Sequence, residues 1–259
     1  MAFVRFATAL LLLTNFLACP ALAAEPDALY SSQAIVTGQG EKNRQPGFRD
    51  CLDRVLVKVS GDQRLPKLPR AAALRSHAGD FVASFSYRDR LAGKPIHDEQ
   101  GTYDRPHDLT CRYDRKTIDD LLASLGSRPW LSERPTFLVI LDVQRGGQAF
   151  RVTADDMRDL AMRESFALGA APLALRVTFP AASDAIAMNA DTVQPLGGVL
   201  TLSGDLVWSD ADLGWVATWQ LKYDGKTHQW VVSGVNFDEA FRVAMRGAAQ
   251  ILSGNGAPE

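Results

Sequence analysis

The sequence contains little cysteine and histidine, and positive charge is not in excess. Of 259 residues, 3 are cysteine and 4 are histidine, while 28 Lys and Arg against 30 Asp and Glu give a formal net charge of −2. A nucleic-acid partner would require clustered positive charge, so this balance argues against one.

Familiar catalytic motifs are missing as well. The chain has no G-x-S-x-G sequence, Gly38-Gln39-Gly40 lacks the third glycine of a nucleotide-binding loop, and Ser203-Gly204-Asp205 lies inside a strand pattern. We therefore predict no catalytic, metal-binding or cofactor-binding residues. Together with the secretory signal peptide at residues 1–23, described next, this absence favours a non-enzymatic protein that binds another envelope component. The alternatives are a periplasmic hydrolase assembled from scattered residues and a small-ligand binder.

The N-terminal residues show the three parts of a secretory signal peptide. Arg5 precedes a short apolar run, which ends at Ala21-Leu22-Ala23 with the A-x-A spacing of a cleavage site. We predict removal of residues 1–23, with cleavage after Ala23 or Ala24, and a periplasmic product with no stable transmembrane segment. A retained membrane anchor and lipidation of Cys19 are the weaker alternatives, because the apolar run is short and the A-x-A site is the better match.

Two prolines near the middle of the chain indicate a boundary between two small units. Pro129 and Pro135 are the first and last residues of a seven-residue span, and each is expected to interrupt regular structure. The predicted division is a signal peptide at 1–23, an N-terminal α+β unit at 24–128, a linker at 129–135, a C-terminal α/β unit at 136–254 and a tail at 255–259.

Hydrophobic periodicity predicts the elements of the N-terminal unit. A strand near residues 29–37 is followed by an amphipathic helix that starts after Pro46 and stops at Ser60-Gly61. A short helix near Arg70 to His77 follows, and then a polar loop from Lys94 to His107. A half-buried strand and a helix beginning after Asp114 complete the unit.

The C-terminal unit is predicted to be a mixed sheet with packed helices. An apolar run at Thr136 to Leu141 suits a central strand, and Thr153 is expected to cap a helix. Asp224-Gly225 predicts an antiparallel hairpin that pairs Trp219 with Trp230. Asn236 is expected to cap the last helix. The fold class is therefore α/β or α+β.

The two cysteines that remain after export form a disulfide candidate. Cys51 lies on the apolar stripe of its predicted helix, and Cys111 lies on the apolar side of its strand. Both side chains therefore point toward one core, in a compartment where a close pair is oxidised. Two separate buried thiols are the alternative.

Three further groups of residues were weighed as sites. His97-Asp98-Glu99 with His107-Asp108 offers metal-ligand types without a ligand spacing, so a solvated loop is preferred. Asp210 and Asp212 precede Gly214, which is typical of a turn. Four tryptophans at period two are interpreted as core rather than as a sugar- or lipid-binding groove: Trp208, Trp215, Trp219 and Trp230.

Several segments together resemble a known family. The quoted matches are Val55 to Asp62, Ile118 to Gly126, Trp130, Arg134-Pro135 with the following strand, Gly214 to Leu221, and the terminal helix. On these residues the chain resembles the bacterial secreted or envelope family catalogued as domain of unknown function number twenty sixty-six. The resemblance implies an envelope protein of Gram-negative bacteria with no established activity, so it supplies no catalytic residues.

Overall fold

The protein, in a computed structural model that describes residues 26–93, 105–185 and 198–258, contains two β-sheets with helices packed against them. The strands are β1 Ser31–Thr37, β2 Ser84–Asp89, β3 Pro106–Arg112, β4 Thr136–Arg145, β5 Gln148–Arg151, β6 Arg176–Thr178, β7 Val199–Ser209, β8 Gly214–Tyr223 and β9 Lys226–Val235. The α-helices are α1 Pro26–Leu29, α2 Glu41–Ser60, α3 Pro69–Arg75, α4 Arg115–Ser124, α5 Leu160–Ala170, α6 Ala182–Ala185 and α7 Phe237–Leu252. This mixture of helices and two sheets confirms the predicted fold class.

The first sheet is antiparallel, in the order β1-β3-β2, and α2 covers one of its faces. Side chains alternate along β1, so Ala34 and Val36 are buried while Ile35 is exposed. Helix α2 ends as predicted, because Gly61 adopts a left-handed conformation with φ of 75° and its N–H bonds back to the helix.

The predicted start of α2 after Pro46 is wrong. The helix begins at Glu41, and Pro46 lies inside it. The backbone N–H groups of Asn43 and Arg44 both donate to Gly40 O, so the first turn forms before the proline is reached. A proline in an early turn removes one helical hydrogen bond, and the apolar face that begins at Gly47 and Phe48 compensates for that loss.

The second sheet has the order β5-β4-β7-β8-β9, with β6 also paired to β4. Strand β4 is parallel to β6 and β7 and antiparallel to β5, which makes the sheet mixed, as predicted. Helices α5 and α7 pack together and cover one face, where Phe166 stacks on Phe241 at 4.6 Å and meets Trp219 edge-on at 5.7 Å.

The hairpin register is confirmed. Tyr223 pairs with Lys226, Leu221 with His228 and Trp219 with Trp230. Asp224 and Gly225 have φ of 50° and 68°, as a two-residue turn of this kind requires. Both indoles lie on the α7 side and are buried, with Trp219 fully inaccessible to solvent and Trp230 5% exposed.

The helix termini were predicted with mixed success. Asn236 caps α7, since its Oδ1 accepts from Glu239 N at 2.8 Å. Thr153, by contrast, caps no helix. Asp156 caps a short 3-10 turn instead, and α5 begins only at Leu160, because Asp159 is buried and accepts the backbone N–H of Thr153 at 2.8 Å.

Each sheet has its own apolar core, and the ends of α2 and α7 meet where the two cores adjoin. Gln250 Oε1 accepts a hydrogen bond from Gln63 N at 2.9 Å, and Gln250 Nε2 donates one to Asp62 Oδ1 at 3.2 Å. Asn255, placed in the predicted tail, donates to Ser60 O at 2.9 Å and is therefore held against the end of α2. Among the helices described, none is both long and apolar enough to cross a membrane.

Candidate functional site

Two basic side chains of α2 lie along the free edge of the first sheet. Lys58 Nζ donates to Ala28 O at 2.8 Å and to Ser31 O at 3.0 Å, and Arg54 Nη1 donates to Gln33 O at 2.5 Å. Positions four residues apart share one face of a helix, so the two cations project in the same direction. They cover the carbonyl oxygens of an edge strand, which otherwise invites pairing by another chain.

A third cation approaches from the segment between the sheets. Arg134 stacks on Trp130, with its guanidinium carbon 4.2 Å from the ring centroid. Its nitrogens donate to Leu173 O at 2.6 Å, Lys58 O at 2.8 Å and Trp130 O at 3.3 Å. Arg134 therefore links the end of α2 to the turn that follows α5, and it brings a second positive charge close to Lys58.

Burial without a counter-charge perturbs both cations. Desolvation, with a smaller contribution from the charge of Arg134, lowers the pKa of Lys58 to about 8. Desolvation likewise lowers the pKa of Arg134 to about 10. In the part of the chain that the structure describes, neither of these cations nor Arg54 forms an ion pair with a carboxylate. Charges drawn partly out of water are ordinarily paired, so the unpaired state of the half-buried Lys58 and Arg134 among the described residues is unusual.

A cleft of about 410 Å³ opens beside these cations, and we call it the junction cleft. The first sheet contributes hydroxyl and amide side chains, α2 contributes the two basic groups, and α5 with the following turn contributes an apolar wall. The lining residues are Ser31, Ser32, Gln33, Arg54, Lys58, Thr110, Leu168, Ala171 and Pro172.

An exposed apolar side chain lines the cleft, and another lies further along the same edge strand. Leu168 of α5 is 73% exposed and lines the cleft itself, and Ile35 of β1 is 56% exposed. Strand β1 lies at the edge of its sheet, with its other side paired to β3. Tyr113 N donates to Tyr30 O, so Tyr30 and every second residue after it direct their backbone groups toward β3. The backbone N–H and C=O groups of the residues between them, Ser31, Gln33 and Ile35, therefore point to the free edge of the sheet.

Two other cavities are less suited to a ligand. The larger, about 730 Å³, lies between the segment at Arg128 to Ser132, the hairpin turn and the end of α7, and is a wide, shallow groove. The other, about 320 Å³, contains Asp142 paired with Arg151 at 2.7 Å. There burial and the charge of Asp142 raise the pKa of Asp205, while Arg151 opposes that shift. Size alone favours the first, but of these three cavities only the junction cleft is lined by a half-buried cation without an ion pair among the described residues.

The disulfide candidates lie together beneath this region. Cys51 and Cys111 are both fully buried thiols, and the Cys51 thiol hydrogen bonds to Cys111. Cys51 Sγ also lies 3.8 Å from Ser32 O and 3.8 Å from Leu109 O. The hydrogen bond with Cys51 and burial raise the pKa of the Cys111 thiol. The two thiols are therefore neighbours in the core, and the disulfide between them stays a prediction.

The structure describes only part of the polar loop from Lys94 to His107, which carries two of the histidines considered as metal ligands. His97-Asp98-Glu99 lies outside the described residues, as do Ala23 and Ala24 at the predicted cleavage site. His107 contacts Arg105 O at 2.7 Å and Gln39 Nε2 at 3.0 Å, and Asp108 is paired with Arg88 at 2.6 Å. Within the described ranges no group of three or more His, Cys, Asp or Glu is placed to hold a metal ion.

The acidic turn and the tryptophans also have structural partners. Asp210 accepts from Trp208 Nε1 at 2.8 Å, and Asp212 accepts from Ser209 Oγ at 2.5 Å, as expected of a turn between β7 and β8. Trp215, Trp219 and Trp230 are buried in the core, and Trp208 packs edge-on against Trp215 at 5.5 Å.

Sequence reasoning missed Lys58 and Arg134 as site residues. Helical periodicity places Lys58 on the polar face of α2, although Val57 and Val59 flank it and Val55 and Leu56 precede it. A lysine within such an apolar run is the signal that was available. Arg134 was noticed only within the family resemblance, because its partner carbonyls come from distant segments.

Comparison with known proteins corrects the suspected family. The profile described as Domain of unknown function (DUF8605) matches residues 23–131, which include the first sheet, α2 and Trp130. This is a different family from number twenty sixty-six, so the suspected resemblance is not supported; it was based on short segments scattered along the chain. Neither the curated proteins nor the solved structures gave a match.

Proposed function

We propose that this protein is an exported, periplasmic, non-enzymatic protein that binds another component of the cell envelope through the junction cleft. The observation that carries the proposal is the pair of half-buried cations, Lys58 and Arg134, beside an open cleft with no carboxylate partner among the described residues. Their desolvation lowers stability in the isolated protein, and a bound partner that supplies negative charge offsets that loss.

The surroundings of the cleft support binding over hydrolysis. A lysine of lowered pKa beside serines is one arrangement that activates a nucleophile, provided that the hydroxyl contacts the amine. Here Ser31 Oγ donates to Ala28 O at 3.0 Å, and Ser32 Oγ donates to Cys51 O at 2.7 Å. Lys58 is itself bonded to backbone carbonyls, so neither hydroxyl is placed to be activated by it.

Photocrosslinking in cells tests this function. A photoreactive amino acid replaces Leu168 at the rim of the cleft, and the control replaces Val231, which is 53% exposed on β9. We expect a discrete covalent adduct from position 168 that is absent from position 231 and that disappears when Arg54→Glu reverses the charge of the cleft. Equal adducts at both positions, or an adduct that Arg54→Glu leaves unchanged, would contradict binding at this cleft.

A further inference from the structure

We propose that the junction cleft binds a carboxylate group of a partner polypeptide, held by Arg54 and Lys58. This inference rests on the proposed function and specifies the chemistry of the partner. The cleft has two cationic side chains at its wall, and the nearby Arg134 adds to the positive potential. In the described part of the chain, no acidic side chain neutralises them.

The donors that remain fit a group with two oxygens. Lys58 Nζ carries three N–H bonds and donates two of them to Ala28 O and Ser31 O, which leaves one. Arg54 uses Nη1 on Gln33 O and retains its other nitrogens. Arg134 directs its nitrogens to three backbone carbonyls and contributes charge rather than free donors. A carboxylate matches one ammonium N–H plus a guanidinium edge, whereas phosphate sites generally gather more donors.

The walls of the cleft favour a polypeptide as the carrier of that carboxylate. On the free edge of β1, the carbonyl oxygens of Ser31 and Gln33 accept from Lys58 and Arg54, while the backbone N–H groups of Gln33 and Ile35 point outward and can pair with an extended peptide at every second residue. Leu168 in the wall of the cleft, and Ile35 two residues beyond Gln33 on β1, supply exposed apolar surface for the neighbouring side chains of such a segment. A free inorganic anion would use neither feature.

The test uses the purified exported chain and two synthetic peptides. One is a nine-residue peptide of alternating threonine and valine with a central glutamate, and the other replaces that glutamate with glutamine. Binding is followed by NMR through the amide signals of Ser31 and Gln33. We expect the glutamate peptide to bind about tenfold more tightly than the glutamine peptide, since one charged hydrogen bond is worth about that factor. Inorganic phosphate and acetate serve as additional probes.

Variants assign the effect to the cleft. Lys58→Met and Arg54→Met each keep most of the side-chain stem, and we expect each to abolish the preference for glutamate. Lys42→Met removes a lysine from the exposed first turn of the same helix and is expected to leave the preference intact. Circular dichroism of each variant establishes that it is folded before binding is measured.

The possible results separate this inference from the proposed function. Equal affinity for both peptides, or a preference that survives Lys58→Met and Arg54→Met, overturns the carboxylate assignment. Tighter, variant-sensitive binding of phosphate than of the glutamate peptide also overturns it and identifies a phosphate site. If the Leu168 crosslink persists in Lys58→Met, the partner surface stands and the carboxylate contact is wrong. Loss of the crosslink together with loss of the glutamate preference supports both.

Discussion

Replacing Lys58 by methionine should increase the free energy of unfolding at pH 7. Methionine keeps the apolar stem that packs at the end of α2 and removes the charge. The pKa of Lys58 falls from 10.5 to about 8 in the folded protein, so the protonated amine opposes folding by about 3 kcal/mol at pH 7. The variant loses two hydrogen bonds to backbone carbonyls, each worth about 1 kcal/mol. The expected net gain is therefore about 1 kcal/mol.

The pH dependence provides the sharper measurement. A lysine with a lowered pKa binds its proton more weakly in the folded state, so the unfolded state holds more protons between about pH 8 and pH 10.5. The stability of the parent protein consequently rises with pH through that window. Between pH 7 and pH 9.5, deprotonation of Lys58 should raise the free energy of unfolding of the parent protein by about 2 kcal/mol. The difference in stability in favour of Lys58→Met should fall by the same amount, which is enough to reverse its sign.

The measurement is the difference in free energy of unfolding between the parent protein and Lys58→Met, from urea unfolding at several pH values. Taking the difference cancels the contributions of other titrating groups, including the two cysteines and Tyr30, whose pKa burial raises to about 12. Stopping at pH 9.5 stays below the pKa of Arg134, about 10. Lys42→Met should show no such pH-dependent difference. A Lys58→Met variant that is destabilised by the same amount at every pH would refute the argument that the ammonium is costly.

Three further predictions follow from other parts of the molecule. In the exported protein Cys51 and Cys111 are expected to form a disulfide that closes a loop of about 60 residues and stabilises the fold by about 4 kcal/mol in the chain-entropy treatment; alkylation of the unfolded, unreduced protein at both thiols would contradict this. Gly204→Ala should destabilise by about 3 kcal/mol in urea unfolding, because its new Cβ would lie 2.1 Å from Trp219 Cζ3, whereas Gly40→Ala, with open space around it, should stay within about 0.5 kcal/mol. N-terminal sequencing of the protein from its host should start at Ala24 or Glu25, and an intact Met1 or a lipid-modified Cys19 would show that the export prediction is wrong.

Local signals in the sequence were enough to predict the hairpin and the last helix. Asp224-Gly225 fixes both the turn and the register, because a two-residue loop leaves one way to pair the flanking strands. Asn236 fixes the start of α7 through its own side chain. These features depend on residues close together in the chain, and hence on chemistry that a single sequence displays.

The parts that were missed depend on distant partners. Strand β5 is a four-residue segment that exists because it pairs with the end of β4, and α2 extends back through Pro46 because its later turns are buried. The exposure of Lys58 could not be judged from helical periodicity, since its surroundings come from Arg134 and from the turn after α5. Tertiary context overrides local preference at each of these places.

Most polar and charged groups discussed above have partners within the chain, whereas the charges of Lys58 and Arg134 have no carboxylate partner among the described residues. Helix caps, the hairpin turn and the paired Asp142 and Arg151 satisfy their own charges and hydrogen bonds and need nothing from outside the chain. Lys58 and Arg134 leave two positive charges partly buried beside a cleft, although an uncharged side chain at position 58 would be accommodated at lower cost. A local conflict that stability alone does not explain is where a functional site is expected. For that reason we propose the junction cleft, rather than the larger groove beside the hairpin turn, as the binding surface.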